Sequence, residues 1–433
     1  MVGGISRTES YKNYAFDLGG HRFFTKFPSI EALWRELLGP DLTEVRRISR
    51  IFYHGRFIDY PLSFPEIIRK LGPLESLLIL GSYLRTFHRS KADTDFQAWV
   101  TNRFGKRLFE TFFKDYTEKV WGIPCRLIEA EWAEQRIKGL SFLSALTNAL
   151  FGGRKTRSLI KSFLYPRRGP GQMWQRLTQR IQQNGGDLQL NSPVVKLHHD
   201  GGGSITSLDC RTKSGTTAIE PVQVISSMPI TSLVTRLSPE PPEDVLQAAK
   251  ALKYRGFLLV VLILKDTDLF PDQWIYVHDP TVRIGRIQNY RNWSPDMVPD
   301  PATSSLGVEF FCNEGDPFWS TDDAELISLA ARETEILGLA SRGAVLDGTV
   351  IRIPKAYPVY ELNYRKNLSL LQRYTAGFHN LHLIGRNGNF RYNNMDQAML
   401  SGLNASRKIL GKPLLETSAQ DSPYLEDGPN RTR

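Results

Sequence analysis

Cysteine is scarce: Cys125, Cys210 and Cys312 are the only three in 433 residues, and no CxxC pair occurs. So sparse and odd a count excludes a disulfide framework and points to a reducing compartment, read here as the cytoplasm. Three small buried hydrophobes are the simplest reading of them. No stretch approaches the ~20 apolar residues that cross a bilayer. The N-terminal Met1–Arg7 lacks the apolar core of a signal peptide. Also absent are a GxxxxGK[ST] phosphate loop, an HExxH or paired-cysteine metal site, a GxSxG nucleophile elbow and a GxGxxG dinucleotide turn. No metal ligands are expected. The Lys and Arg residues form no tract, and no internal repeat is found.

What is present favours a large folded protein. At ~150 residues per domain the length fits about three domains or lobes. With 8 Trp, 16 Tyr and 23 Phe, the chain has too much apolar surface to stay unfolded. Lys and Arg number 55 against 45 Asp and Glu, a formal charge of +10. That balance suits anionic partners: nucleotides, diphosphates, nucleic acid or an acidic membrane surface. Nucleic acid is not expected, because no helix-turn-helix, zinc or RNA-binding signature accompanies the charge.

Ile30–Leu38 has helical apolar spacing and ends at Gly39-Pro40. Residues 64–165 are mostly helical in pattern, with an aromatic stripe from Phe96 to Phe112 that reads as core. Tyr165–Trp174 reads as a loop by composition. Leu190–His199, Gly201-Gly202-Gly203 and Ile205–Arg211 read as strand, turn, strand, and Val222–Ser227 as a further strand. Phe257–Leu264, the longest apolar run, fits a strand buried on both faces. Trp274–Val277, Arg283–Gln288 and Gly307–Cys312 alternate like sheet. Helices are expected over Asp322–Leu337 and from Asn394 to Leu410, with Asn393 or Asn394 as N-cap. Leu74–Leu84, between Arg69-Lys70 and Arg85, could lie on a membrane surface, although such a helix more often packs in a core. The mixture without segregation gives an α/β or α+β protein with interleaved lobes.

Two segments carry chemistry. The first holds Gly3-Gly4 and then Gly19-Gly20-His21-Arg22-Phe23-Phe24-Thr25, where paired glycines let the backbone approach a flat ligand. Two ordinary hairpin turns would also account for these glycines. The second is Gly385-Arg386-Asn387-Gly388-Asn389-Phe390-Arg391-Tyr392-Asn393-Asn394-Met395-Asp396, a strand running through glycines into a helix start. Free N–H groups there favour an anionic or carbonyl-rich ligand edge.

These two segments resemble the flavin-binding ends of the flavin-containing amine oxidase superfamily, and within it UDP-galactopyranose mutase-like proteins. Lys119-Val120-Trp121-Gly122, the Tyr165–Trp174 segment, Val224–Pro229, Tyr254-Arg255 and Ala356–Val359 stand in family order between them. The resemblance implies a two-lobed α/β scaffold of the Rossmann-like, glutathione-reductase type, with a helical plus antiparallel-sheet substrate lobe. On it, a discontinuous FAD-binding domain comes from residues 1–60, 186–230 and 380–411. The substrate domain comes from 61–185 and 231–379, and 412–433 is a flexible tail.

The resemblance further implies FAD as cofactor, with contacts from Gly3, Gly4, Gly19, Gly20, His21, Val195, Gly385, Arg386, Asn394, Met395 and Asp396. Arg286 resembles the arginine beside the reactive face, and with His21 is the catalytic pair. Tyr357, Tyr392 and Arg386 resemble the holders of a substrate diphosphate, with a UDP-sugar as the candidate substrate. Arginine and tyrosine hydroxyls suit two phosphate charges. Phe24 stands where the mutases carry a second histidine, so an oxidoreductase is the first expectation and a mutase-type isomerase the alternative. Family members open with a strand, a GxGxxG turn and a helix, which this sequence does not contain. The reading frame is therefore expected to begin at an internal Met, and the chain as it stands to hold FAD weakly or not at all, with a truncated, non-catalytic remnant as the alternative.

Overall fold

The computed structural model describes residues 1–60, 69–88, 92–137 and 162–415. The chain opens with a hairpin, β1 (Thr8–Tyr11) and β2 (Tyr14–Asp17), followed by helix α1 (Pro28–Leu38) and strands β3 (Leu42–Arg46), β4 (Ser49–Tyr53) and β5 (Arg56–Asp59). Helices α2 (Pro73–Leu84), α3 (Phe96–Phe104), α4 (Asp115–Trp121) and α5 (Ala130–Ile137) come next, then β6 (Ser162–Pro166) and α6 (Gly171–Gln183). Strands β7 (Val194–His199), β8 (Ile205–Thr212), β9 (Gly215–Ile219), β10 (Val224–Ser226) and β11 (Leu237–Ser238) precede α7 (Glu243–Ala251). The main sheet then forms from β12 (Tyr254–Leu264), β13 (Trp274–Val277), β14 (Arg286–Asn289), β15 (Ser304–Cys312) and, after α8 (Asp323–Ile336), β16 (Val345–Pro358). The described chain closes with α9 (Tyr364–Ala376), β17 (Leu381–Leu383) and α10 (Met395–Ile409).

Seven strands make the central sheet, in the order β16-β12-β15-β14-β13-β4-β5. All its neighbours are antiparallel except the parallel pair β13–β4. The long apolar run in β12 follows from this position. Phe257, Leu259 and Val261 face the aromatic layer of α3 and its neighbours, while Leu258, Val260, Leu262 and Leu264 face Leu326, Ala330 and Ala331 of α8. Successive side chains point to opposite faces, so a strand covered on both sides has no polar alternation. A second sheet, β11-β7-β8-β9, and the parallel pair β10–β17 lie in the other lobe. There α7 and α9 supply Val245, Ala248 and Leu371 to a separate core.

Several sequence expectations shift. Tyr165–Trp174 is not one loop. Tyr165 lies in β6, which pairs with β3, and Trp174 lies in α6, leaving Arg167–Pro170 as the connection. Strands β4 and β5, placed by sequence with the cofactor lobe, hydrogen-bond into the seven-stranded sheet. Residues 190–193 lie outside β7. Helix α2 buries Ser76, Ile79 and Tyr83 but leaves Leu74, Leu77, Leu78 and Leu84 exposed, so core packing holds for one face only. Part of the stretch read as helical (138–161) and the tail beyond 415 lie outside the described residues. All three cysteines are buried and free.

Asp17 joins four parts of this frame. Its carboxylate accepts from Tyr165 Oη at 2.5 Å and from Thr8 Oγ1 at 2.8 Å, and its carbonyl accepts from Tyr290 Oη at 2.9 Å. Thr8 Oγ1 in turn accepts from the Gly171 amide at 3.0 Å. Burial pushes the Asp17 carboxyl up to about 7, against the hydrogen bonds from Tyr165 and Thr8. The folded state thus holds a proton that the unfolded chain, titrating near 3.8, has released. This contribution to stability is fully present below the unfolded value and is lost as pH rises through about 7. Asp17→Asn, neutral throughout, should flatten the fall in stability between about pH 4.5 and about pH 7.5 by on the order of a few kcal/mol. Urea unfolding across that range checks this; an unchanged slope contradicts it.

Candidate functional site

A cavity of about 1060 Å³ opens between the lobes. Ligand pockets commonly span ~300–1,000 Å³, so there is room for a large cofactor with a small substrate beside it. One wall is backbone. Gly3 and Gly4 have φ of +104° and +56°, conformations that side chains rarely adopt. A Cβ on Gly3 would sit 2.3 Å from the Trp174 ring, and one on Gly20 would sit 1.4 Å from Trp274. The ring of Trp174 is fixed by its Nε1–H, which donates to Ser6 O at 2.9 Å. Arg22 anchors the second glycine pair by lying 5.4–5.6 Å from the rings of Phe163, Trp274 and Trp293.

The closing segment supplies the adjoining wall. Gly385–Gly388 forms one helical turn, and α10 starts at Met395 with Asn394 as N-cap in a capping box with Gln397. Arg386 is held by donating from Nε and Nη2 to Asn393 O at 3.0 and 2.7 Å, and from Nη1 to Ala356 O at 3.2 Å. Its guanidinium lies 4.7 Å from the centre of the Tyr392 ring and 5.4 Å from that of Tyr357. Those two rings stack at 5.4 Å with a 10° tilt. Trp132 meets Tyr392 edge-on at 4.9 Å.

Across the Tyr357 ring from Arg386 lies Arg286, the first residue of β14. Its register partner on β15 is Glu309, and the two form an ion pair at 3.1 Å, both buried. The pair lacks hydrogen-bond alignment at Nε and Oε2, so its attraction is Coulombic. Arg286 Nη2 also donates to Tyr357 Oη at 3.2 Å, and its guanidinium lies 4.5 Å from the centre of the Phe311 ring. Burial opposes the charge on Arg286 more than any one neighbour favours it, but Glu309 first, and then Tyr357, Tyr116 and Tyr392, together hold the group well above its ordinary range. Burial pushes the Tyr357 hydroxyl up to about 12, so it stays protonated as a donor.

His21 lies in the same cavity. Burial, and next the charge of Arg386, lower it to about 3, so its ring is neutral. Its Nδ1 is buried and has no partner among the described residues. The Trp274 indole N–H is likewise buried without one. Such orphaned polar atoms are costly unless a ligand meets them.

The wall helix α4 is welded in place. Lys119 Nζ donates to four carbonyls, those of Val277, Asp279, Val282 and Ile284, at 2.8–3.4 Å. Arg255 Nε donates to Val120 O at 3.0 Å, and a Cβ on Gly122 would lie 2.6 Å from the Arg255 guanidinium. Lys119 thereby fixes the turn leading into Arg286, while α4 presents Tyr116 and Trp121 to the cavity.

Of the residues singled out by sequence, the cavity gathers Gly3, Gly4, Gly19, Gly20, His21 and Arg286 with Tyr357, Gly385, Arg386, Tyr392, Asn394 and Met395. Val195, in β7, and Asp396 are not on its wall. Asp396 is buried beneath, accepting from Thr25 Oγ1 at 2.9 Å, and burial raises its carboxyl to about 6. The sequence reading missed the aromatic walls: Tyr116, Trp121, Trp132, Trp174, Trp274 and Tyr276. Only Trp121 and Trp174 stood in segments noted for their order, since helical spacing alone cannot tell a cavity wall from a core. Among the described residues, no group of three His, Cys, Asp or Glu side chains could hold a metal ion. No described helix is long and apolar enough to cross a membrane.

Comparison with known proteins agrees with this geometry. The structure is similar to that of reduced UDP-galactopyranose mutase, with a TM-score of 0.84 at 20% identity over 97% of this chain and 88% of that one. It is similar to a protein provisionally assigned as a protoporphyrinogen oxidase from Exiguobacterium sp. 255-15, with a TM-score of 0.70 at 14% identity over 95% and 91%. Putrescine oxidase bound to putrescine also matches, with a TM-score of 0.59 at 16% identity over 95% and 92%. At these identities the likeness is one of fold. The sequence model of the flavin containing amine oxidoreductases matches residues 1–410, nearly the whole described chain, and the protein belongs to that family of flavin enzymes.

Proposed function

We propose that the protein is an FAD-dependent oxidoreductase acting on an anionic small molecule, with a nucleotide sugar as the candidate substrate. The observation that carries this reading is the placement of Arg286 and Arg386 on one cavity with Tyr357, Tyr392 and the paired glycines. The buried free cysteines fit a reducing location such as the cytoplasm.

The residues fit a flavin. Gly3, Gly4, Gly19 and Gly20 bring backbone to the cavity, with Trp174 packed on Gly3 and Trp274 on Gly20, and His21 Nδ1 and Trp274 Nε1 are buried there without protein partners among the described residues. A bound flavin supplies hydride chemistry, and the protein supplies binding, orientation and electrostatics. Neutral His21 offers one hydrogen bond to a cofactor edge without adding charge. Arg286, tethered by Glu309 and Tyr357, would hold a fixed positive charge beside a bound flavin. Arg386 and the two tyrosine hydroxyls hold the anionic end of the substrate, and the surrounding rings exclude water, which strengthens those contacts.

A second reading, a mutase-type isomerisation of a sugar nucleotide, uses the same diphosphate cradle. Phe24, in place of a second histidine, weighs toward the oxidoreductase. Anaerobic incubation of the reduced protein with UDP-galactose, analysed for an isomeric product, separates the two readings from oxygen uptake by the oxidised protein.

Gly20→Ala should weaken FAD affinity at least about tenfold, because the new methyl must displace Trp274. Quenching of FAD fluorescence on titration with the protein measures it, and equal affinity in the variant contradicts the assignment. Tyr357→Phe keeps the ring but loses the hydroxyl that meets Arg286. It should weaken UDP-galactose binding roughly tenfold, the worth of one charge-assisted hydrogen bond, and leave FAD binding near wild type. A loss confined to FAD would place this tyrosine on the cofactor instead.

A further inference from the structure

Helix α2 exposes an apolar stripe. Leu74, Leu77, Leu78 and Leu84 are 73%, 64%, 49% and 53% accessible, and exposed Gly81 continues the row between them. Their spacing places them along one side of the helix. Single exposed leucines are ordinary, but a continuous row of four is not. The opposite side is fixed: Ile79 and Tyr83 pack into the aromatic core, and Ser76 Oγ donates to Gly72 O at 2.8 Å. The stripe is therefore presented by a helix that cannot roll to hide it.

The charges around the stripe identify its occupant. Arg69 and Lys70 precede the helix, Arg85 follows it, and Arg56 donates to the Lys70 carbonyl beside its start. Glu75 is the single acidic residue between positions 69 and 88. It is neutralised by Arg107, whose Nε and Nη2 donate to its two oxygens at 2.6 and 2.8 Å. We infer that α2 is a docking element for an anionic lipid surface, with its leucines at the acyl boundary and the flanking basic residues at the headgroups. A second copy of the chain fits less well, because a two-fold contact would bring the same positive ends together. A membrane face gives the enzyme access to substrates or electron acceptors held at a bilayer, independently of which substrate the cavity takes.

Flotation of the full chain with vesicles tests this. Wild type should float with phosphatidylcholine vesicles containing about 30% phosphatidylglycerol at least about tenfold better than with phosphatidylcholine alone. Leu77→Ser/Leu78→Ser should lose at least about tenfold of that binding with an unchanged unfolding midpoint. Arg69→Glu/Arg85→Glu should lose a comparable amount by a separate route. Leu346→Ser, which alters an exposed leucine on β16, is the control and should float like wild type. The proposal is overturned if wild type stays with the soluble fraction, or if either double variant floats as well as wild type. It is equally overturned if light scattering shows a wild-type dimer that the leucine variant breaks.

Discussion

The site depends on one buried charge. Arg286 cannot give up its proton, and burying a guanidinium without a partner costs several kcal/mol. Glu309 meets it from the register position opposite, so the antiparallel pairing of β14 and β15 sets the geometry of the ion pair. Gln288 Nε2 steadies that carboxylate at 2.9 Å. Around the pair the sheet supplies rings: Trp274 from β13, Phe311 from β15 and Tyr357 from β16. Removing either partner would strand the other in an apolar enclosure, so the strand order and the aromatic walls are tied to this contact.

The second charge comes from the far end of the chain. Arg386 is fixed by the carbonyls of Asn393, just before α10, and of Ala356 on β16, and it lies over the Tyr357 ring that Arg286 also touches. Two guanidinium groups on one cavity raise its potential, and His21, lowered chiefly by burial, is lowered further by Arg386 and then by Arg286. The overall +10 charge of the chain therefore has a local expression where chemistry can use it. Lys119 and Arg255 act on other parts of the frame, closing carbonyls that would otherwise leave the wall loose.

Much of this was legible in the sequence, for physical reasons that differ by element. Phe257–Leu264 announced a strand buried on both faces because only such a strand dispenses with polar alternation. Asn394 announced a helix start through its side chain. The paired glycines and the Gly385–Asp396 segment marked the two ends of the cavity because close approach and a helix start leave local signatures. Nothing local marked Trp274 or Trp132 as wall rather than core, since that depends on which strands become neighbours. Strands β4 and β5 joined the larger sheet through the β13–β4 pairing, a contact across more than 200 residues that no window contains. Val195 stayed off the cavity wall, and Asp396 turned inward to Thr25.

The reduction potential of the flavin-loaded protein is the most direct test of a cofactor seated against the Arg286–Glu309 pair. Glu309→Gln removes a negative charge whose oxygen lies 3.9 Å from where a Cβ on Gly19 would stand, and leaves Arg286 uncompensated. The potential should rise by on the order of tens of millivolts, because the reduced, more negative flavin gains stabilisation. An unchanged or lower potential would contradict the assignment of this cavity to the flavin.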